Sequence, residues 1–222
     1  MSISIRSPLV LPRHEQKSGL PARLPRVQKG MRIGLFGGSF NPPHNGHRLA
    51  SLIALNRLDL SSVWWMVTPG NPLKENSGLP SIQTRMEAAR AVANHPGIHI
   101  TGFEADIETR FTYDTVKYLI DRNPGVHFVW IMGADNLAGF HRWQYWARIA
   151  RLVPIVVIDR PRSTLRGVSS RAAKYLAYHR VPERDAPLLP YMQAPAFMFV
   201  HGPRSDLSST ELREKGKGLT ER

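Results

Sequence analysis

The chain has no cysteine among its 222 residues, which excludes disulfides and thiolate-bound metals and fits a reducing compartment. Long apolar runs are missing as well. A stretch such as LVPIVVID, Leu152 to Asp159, has strand length and falls far short of the roughly 18 apolar residues that span a bilayer. These absences describe a soluble, cytoplasmic protein with no membrane partner. Neither GxxxxGK[ST] nor GxGxxG occurs, so neither a P-loop nor a dehydrogenase fingerprint is present. Acidic residues are scarce: 17 Asp and Glu stand against 30 Lys and Arg, a formal net charge of +13.

That excess raises the question of nucleic acid, because neutralising phosphates requires clustered basic residues. Residues 1–30 hold Arg6, Arg13, Lys17, Arg23, Arg26 and Lys29 against Glu15, so this leader supplies +5 of the +13. The remainder suits a cleft that concentrates small anionic substrates, and a nucleic-acid partner is not expected. Residues 1–30 contain prolines and no sustained periodicity, and they read as a disordered basic arm without a secretory h-region. One domain over residues 31–214 and a flexible tail over 215–222 complete the expected organisation, with no linker inside the domain.

The chain is organised around RIGLFGGSFNPPHNGH, Arg32 to His47. Ile33, Leu35 and Phe36 read as a buried strand, Gly37 and Gly38 as a sharp turn whose amides approach a ligand closely, and HNGHRLASLIALNRL as a helix. The helix is expected to bury Leu49, Leu52, Ile53 and Leu55. Strand, glycine turn and helix in that order make either a phosphate-binding loop or a plain turn. His44 and His47, three residues apart at a helix start, share one face. Such a pair donates to phosphate or binds a metal, and with no third ligand cluster the phosphate reading is preferred.

Downstream, VWWMV (Val63–Val67), IHITGF (Ile98–Phe103), VHFVWIM (Val126–Met132), PIVVID (Pro154–Asp159) and AFMFV (Ala196–Val200) read as further strands. Helical patterns between them predict crossovers and a Rossmann-like α/β fold of six mostly parallel strands. Ser81 is the expected cap of a helix burying Ile82, Met86, Ala89 and Val92, with Arg85 and Arg90 on its surface. Glu104–Arg110 reads as a polar loop before a helix capped by Thr112. Residues 169–178 form another helical pattern, and 181–195 a proline-rich surface connection.

Several residues fall at the strand C-terminal edge, where open parallel sheets bind ligands. Lys74 is there as a phosphate contact or a solvated loop lysine. Asp135 suits a ribose hydroxyl pair or a helix cap. Trp143, Tyr145 and Trp146 read on spacing alone as core aromatics. In DLSSTELREK, Ser208, Ser209 and Thr210 open a helical turn with Arg213 on the same face, which is a capping box or a phosphate site.

The segment GGSFNPPHNGH resembles the GGxFxPxHxGH signature of the nucleotidyltransferase superfamily, specifically the nicotinate-nucleotide adenylyltransferase family. The likeness runs from about Met31 to about Glu214. Ser208 to Arg213 is similar to the closing ISSTxIR signature, with Leu207 in place of isoleucine; Gly133–Asp135 resembles the family's GxD motif, and FHRWQYW its F-x-x-W stretch. The resemblance implies transfer of the adenylyl group of ATP to nicotinate mononucleotide, giving deamido-NAD and pyrophosphate in NAD biosynthesis. It implies His44, His47 and Arg213 as catalytic, and Gly37, Gly38, Ser39, Phe40, Gly46, Gly133, Asp135, Ser208, Ser209 and Thr210 as ATP-binding. Lys74, Thr112, Trp143 and Gln144 would hold the nicotinate nucleotide, Trp143 by stacking on the ring and Gln144 through its backbone amide. Phe111 stands where the family's SYTxxT-like stretch has tyrosine, so only Thr112 is carried over. Mg²⁺ is expected to accompany ATP without dedicated protein ligands. A related transferase acting on nicotinamide mononucleotide or another phosphorylated acceptor is the alternative, and oligomeric state is not legible.

Overall fold

The computed structural model describes residues 24–70, 78–109, 111–159 and 167–202. Six strands form one sheet in the order β3-β2-β1-β4-β5-β6. They are β1 (Arg32–Gly38), β2 (Ser62–Val67), β3 (Ile98–Thr101), β4 (His127–Gly133), β5 (Ile155–Ile158) and β6 (Phe197–Val200). All five pairings are parallel. Parallel neighbours need crossovers, and the helices that supply them cover both faces of the sheet. Near-continuous apolar strands follow: every residue of β2 is buried. The order reverses at β1, placing a crevice at the C-terminal ends of β1 and β4.

The helices are α1 (Asn45–Arg57), α2 (Ile82–Ala93), α3 (Phe103–Asp106), α4 (Thr112–Arg122), α5 (Ala134–Phe140), α6 (Trp146–Leu152) and α7 (Arg171–Leu176). One core cluster lies under α4, α5, α6 and α7, and the other under α1 and α2. The buried face of α1 is not the leucine-rich one expected. Ala50, Ser51 and Ala54 face the sheet, while Leu52, Ile53 and Leu55 are only partly buried. Small side chains let α1 sit close enough for the Trp65 indole N–H to donate to Ser51 Oγ at 2.7 Å.

Other expectations are also corrected. The last residues of the expected arm are packed: Leu24 and Val27 lie against the core and the Gly30 amide donates to the Gly125 carbonyl at 2.7 Å. β3 stops at Thr101, and the expected polar loop begins as α3, with Phe103 and Glu104 buried. The proline-rich connection contains a 3-10 segment, Glu183–Tyr191, that buries Ala186, Leu189 and Pro190. Among the described residues no helix is long and apolar enough to cross a membrane.

Candidate active site

β1 runs through both glycines: Gly37 and Gly38 are its last two residues, opposite Met66 and Val67, and not the expected sharp turn, so the loop that enters the crevice begins after them at Ser39. A Cβ on Gly37 would lie 2.8 Å from the Trp130 ring of β4, and one on Gly34 would lie 2.5 Å from Ile131 Cδ1. Phe40 then adopts a left-handed backbone, φ 46°, and stacks on Trp65 with centroids 4.9 Å apart and planes 10° apart. Its ring is core. Only its main chain is therefore suited to a ligand.

The two histidines are held by α1's first turn. His44 is the N-cap, its Nδ1 accepting from the Gly46 amide at 3.1 Å, while His47 Nδ1 accepts from the His44 amide at 3.2 Å. An imidazole that accepts at Nδ1 carries its proton on Nε2. Both rings are thereby fixed as Nε2–H donors, with centroids 3.9 Å apart. His47 also packs against Phe40 at 4.9 Å and Phe36 at 5.9 Å. Gly37, Gly38, Ser39, Phe40, His44, Gly46 and His47 thus form one unit.

Arg85 corrects the sequence reading most sharply, because it is 1 % exposed rather than on the surface of α2. Its Nε donates to Pro80 O at 2.9 Å, Nη1 to Ser39 O at 2.9 Å and Thr68 O at 2.8 Å, and Nη2 to Pro69 O at 3.4 Å. Burial pushes the guanidinium below its ordinary value. Its spacing was the available signal: Arg85 lies three residues after Ile82 and four before Ala89, on the inward face. Arg90 is exposed, as expected.

Across the crevice, β4 ends at Gly133, which precedes α5, and Asp135 is exposed in that helix's first turn. α4 begins at Thr112 after Phe111, so Thr112 is its first residue and not its cap. Trp143 meets Trp130 edge-on at 6.0 Å and Phe140 at 5.3 Å, partly in the core. Trp130 therefore joins the glycine end of β1 to Trp143. Gln144 is exposed. Beneath α4, burial raises the Glu104 carboxyl to about 7, partly offset by a hydrogen bond with Thr115. Thr115 Oγ1 also meets Thr109 Oγ1 at 3.0 Å.

Lys74, Ser208, Ser209, Thr210 and Arg213 lie outside the described residues. Among the described residues no group of three His, Cys, Asp or Glu side chains is placed to hold a metal.

The cytidylyltransferase-like family model matches residues 35–215. A Mesorhizobium japonicum protein named probable nicotinate-nucleotide adenylyltransferase is 54 % identical over 195 residues, covering 88 % of this chain and all of that one. A Methylorubrum extorquens protein of the same name is 55 % identical over 185 residues, covering 83 % of this chain and all of its own. The structure of Plasmodium falciparum nicotinic acid mononucleotide adenylyltransferase complexed with NaAD superposes with a TM-score of 0.62 at 18 % identity, over 83 % of each chain, and shares the fold. With the glycine end of β1, the paired imidazoles and the 3-2-1-4-5-6 sheet already in place, this extent of identity settles the family: the chain belongs to the nicotinate-nucleotide adenylyltransferases of the cytidylyltransferase-like group.

Proposed function

We propose that the protein transfers the adenylyl group of ATP to nicotinate mononucleotide. The observation that carries this reading is the locked pair of Nε2–H donors on His44 and His47 after the glycine end of β1. A phosphate oxygen of the mononucleotide attacks the α-phosphorus, the bond to the bridging oxygen breaks, and pyrophosphate leaves with that electron pair. The nucleophile is already an ionised phosphate. No general base is needed, and catalysis reduces to alignment and charge stabilisation.

His47 is assigned to the α-phosphate, where its donor meets charge that grows in the transition state, and His44 to the neighbouring phosphate oxygens. The Gly37–Phe40 main chain cradles the triphosphate, and Asp135, after Gly133, takes the ribose hydroxyls. Ser208, Ser209, Thr210 and Arg213 are assigned to the β- and γ-phosphates from their motif. On the acceptor side, the first-turn amides of α4 at Thr112 favour a carboxylate through hydrogen bonding and the helix dipole, and Trp143 offers a ring for the pyridine. Mg²⁺ accompanying ATP would supply further charge neutralisation on the triphosphate.

The test is pyrophosphate release with ATP, Mg²⁺ and either nicotinate or nicotinamide mononucleotide. Release should require an acceptor, and kcat/KM should favour the acid by about tenfold or more, some 1.4 kcal/mol. A preference for the amide would overturn the substrate assignment.

A further inference from the structure

Arg85 has no place in the functional scheme above, yet it is among the largest fully buried side chains in the protein. Removing a guanidinium from water is costly, and an apolar side chain of similar volume fills a core position without that cost. What the guanidinium supplies instead is a rigid fork of donors. Among the described residues its hydrogen-bond acceptors are all main-chain carbonyls, and they come from three points of the chain. Ser39 belongs to the turn after β1, Thr68 and Pro69 follow β2, and Pro80 immediately precedes the α2 cap. The Nη1 atom alone spans two of them, bridging the β1 and β2 loops at 2.9 and 2.8 Å.

The consequence for the loops follows from peptide geometry. The cis bonds among the described residues are Asn41–Pro42 and Ala194–Pro195, so the Ser39–Phe40 and Pro69–Gly70 peptides are trans. In a trans peptide the carbonyl and the following N–H point in opposite directions. Drawing the Ser39 and Pro69 carbonyls onto Arg85 therefore turns the Phe40 and Gly70 amides away from it. Thr68 N also donates to Gly38 O at 3.0 Å, so the two loops are tied at two levels.

We propose that Arg85 is a positioning residue for adenylyl transfer, fixing the distance between the β1 and β2 loops and orienting the Phe40 and Gly70 amides toward the triphosphate. The proposal rests on the reading that the loop after β1 receives ATP. It requires that losing the fork affect ATP more than the acceptor nucleotide, and that the two loops loosen before the sheet does.

The experiment compares the full-length protein with Arg85→Lys and Arg85→Met. Steady-state kinetics are measured for ATP and nicotinate mononucleotide, and amide hydrogen exchange is followed in ligand-free protein. For Arg85→Met, kcat/KM for ATP should fall by about 30-fold or more, while KM for nicotinate mononucleotide stays within about twofold. Exchange at residues 37–41 and 68–70 should accelerate by about tenfold or more, with β4 and β5 unchanged. Arg85→Lys, which keeps the charge but not the fork, should recover part of the ATP parameter and leave the loops faster than in the wild type. The proposal fails if Arg85→Met stays within about threefold of wild type, if both substrates suffer equally, or if exchange rises throughout the sheet. Should Arg85→Met not fold, Arg85→Lys decides: wild-type exchange in both loops sinks the idea. A wild-type protein that released no pyrophosphate would refute the functional reading, while loop exchange would still judge the clamp.

Discussion

The two sides of the crevice are stabilised by different means. On the β1–β2 side, helix starts are capped by side chains: His44 caps α1 and Ser81 caps α2, while Arg85 gathers loop carbonyls from Ser39 to Pro80. On the β4 side, no described side chain caps α4, α5 or α6, and aromatic rings pack instead: Trp143, between α5 and α6, meets Trp130 and Phe140 edge-on. Hydrogen bonds to the main chain fix angles tightly, as a site for in-line displacement requires. Uncapped starts leave first-turn amides to a ligand. On the proposed reading, the hydrogen-bonded side takes the reacting phosphates and the aromatic side the ring and its carboxylate.

The sharpest way to break this contrast is His47→Ala. If the hydrogen-bonded side performs the chemistry, kcat should fall by about 100-fold or more, about 2.7 kcal/mol, with a much smaller change in ATP affinity. Turnover within about threefold of wild type would remove His47 from the reacting centre.

Glu104 tests whether the β4 side depends on uncharged packing. Its folded-state value is raised from 4.5 to about 7, so between these values the folded protein holds a proton that the unfolded chain has released. Stability therefore falls as pH rises from about 4.5 to about 7 and levels off above it. Glu104→Gln should flatten that slope and raise stability at pH 8 by about 2 kcal/mol, since each tenfold change in proton affinity is worth about 1.4 kcal/mol and the amide gives back some packing. Denaturant melts at pH 5 and pH 8 measure it; an unchanged slope would contradict the assignment.

Trp143→Ala should raise KM for nicotinate mononucleotide by about tenfold, about 1.4 kcal/mol, while leaving KM for ATP within about twofold. Equal effects on both substrates would erase the division between the two sides. The smallest effect is reserved for a cap away from both: Ser170, whose hydroxyl accepts from the Ala173 amide at 3.1 Å at the start of α7. Ser170→Ala should cost about 1 kcal/mol in a urea melt with kinetics unaltered.

Much of the fold is readable in the sequence. VWWMV and VHFVWIM announce buried parallel strands because such strands are apolar on both faces. The histidine pair is legible because its spacing fixes a shared face, whereas the two glycines, read as a turn, belong to β1. The buried face of α1 is not legible, since its leucines carry the stronger apolar signal and only the proximity of Trp65 selects Ser51. Arg85 and Glu104 escape for a related reason: a charged residue reads as solvated until carbonyls or hydroxyls from distant segments are seen to surround it. Trp143 gives the core signal, and its packing on Trp130 and Phe140 agrees with that reading.

The placement of β1 has a further consequence during synthesis. One of its edges pairs with β2, which follows at once, but the other waits for β4, as in Ile33 opposite Phe128. At 5–20 residues per second, a ribosome needs roughly 5–20 s to make the intervening chain. For that interval the edge of the glycine-bearing strand has no native neighbour and is open to pairing with other nascent chains. Chaperone demand should therefore peak before His127–Gly133 emerges and fall once that strand closes the sheet's centre.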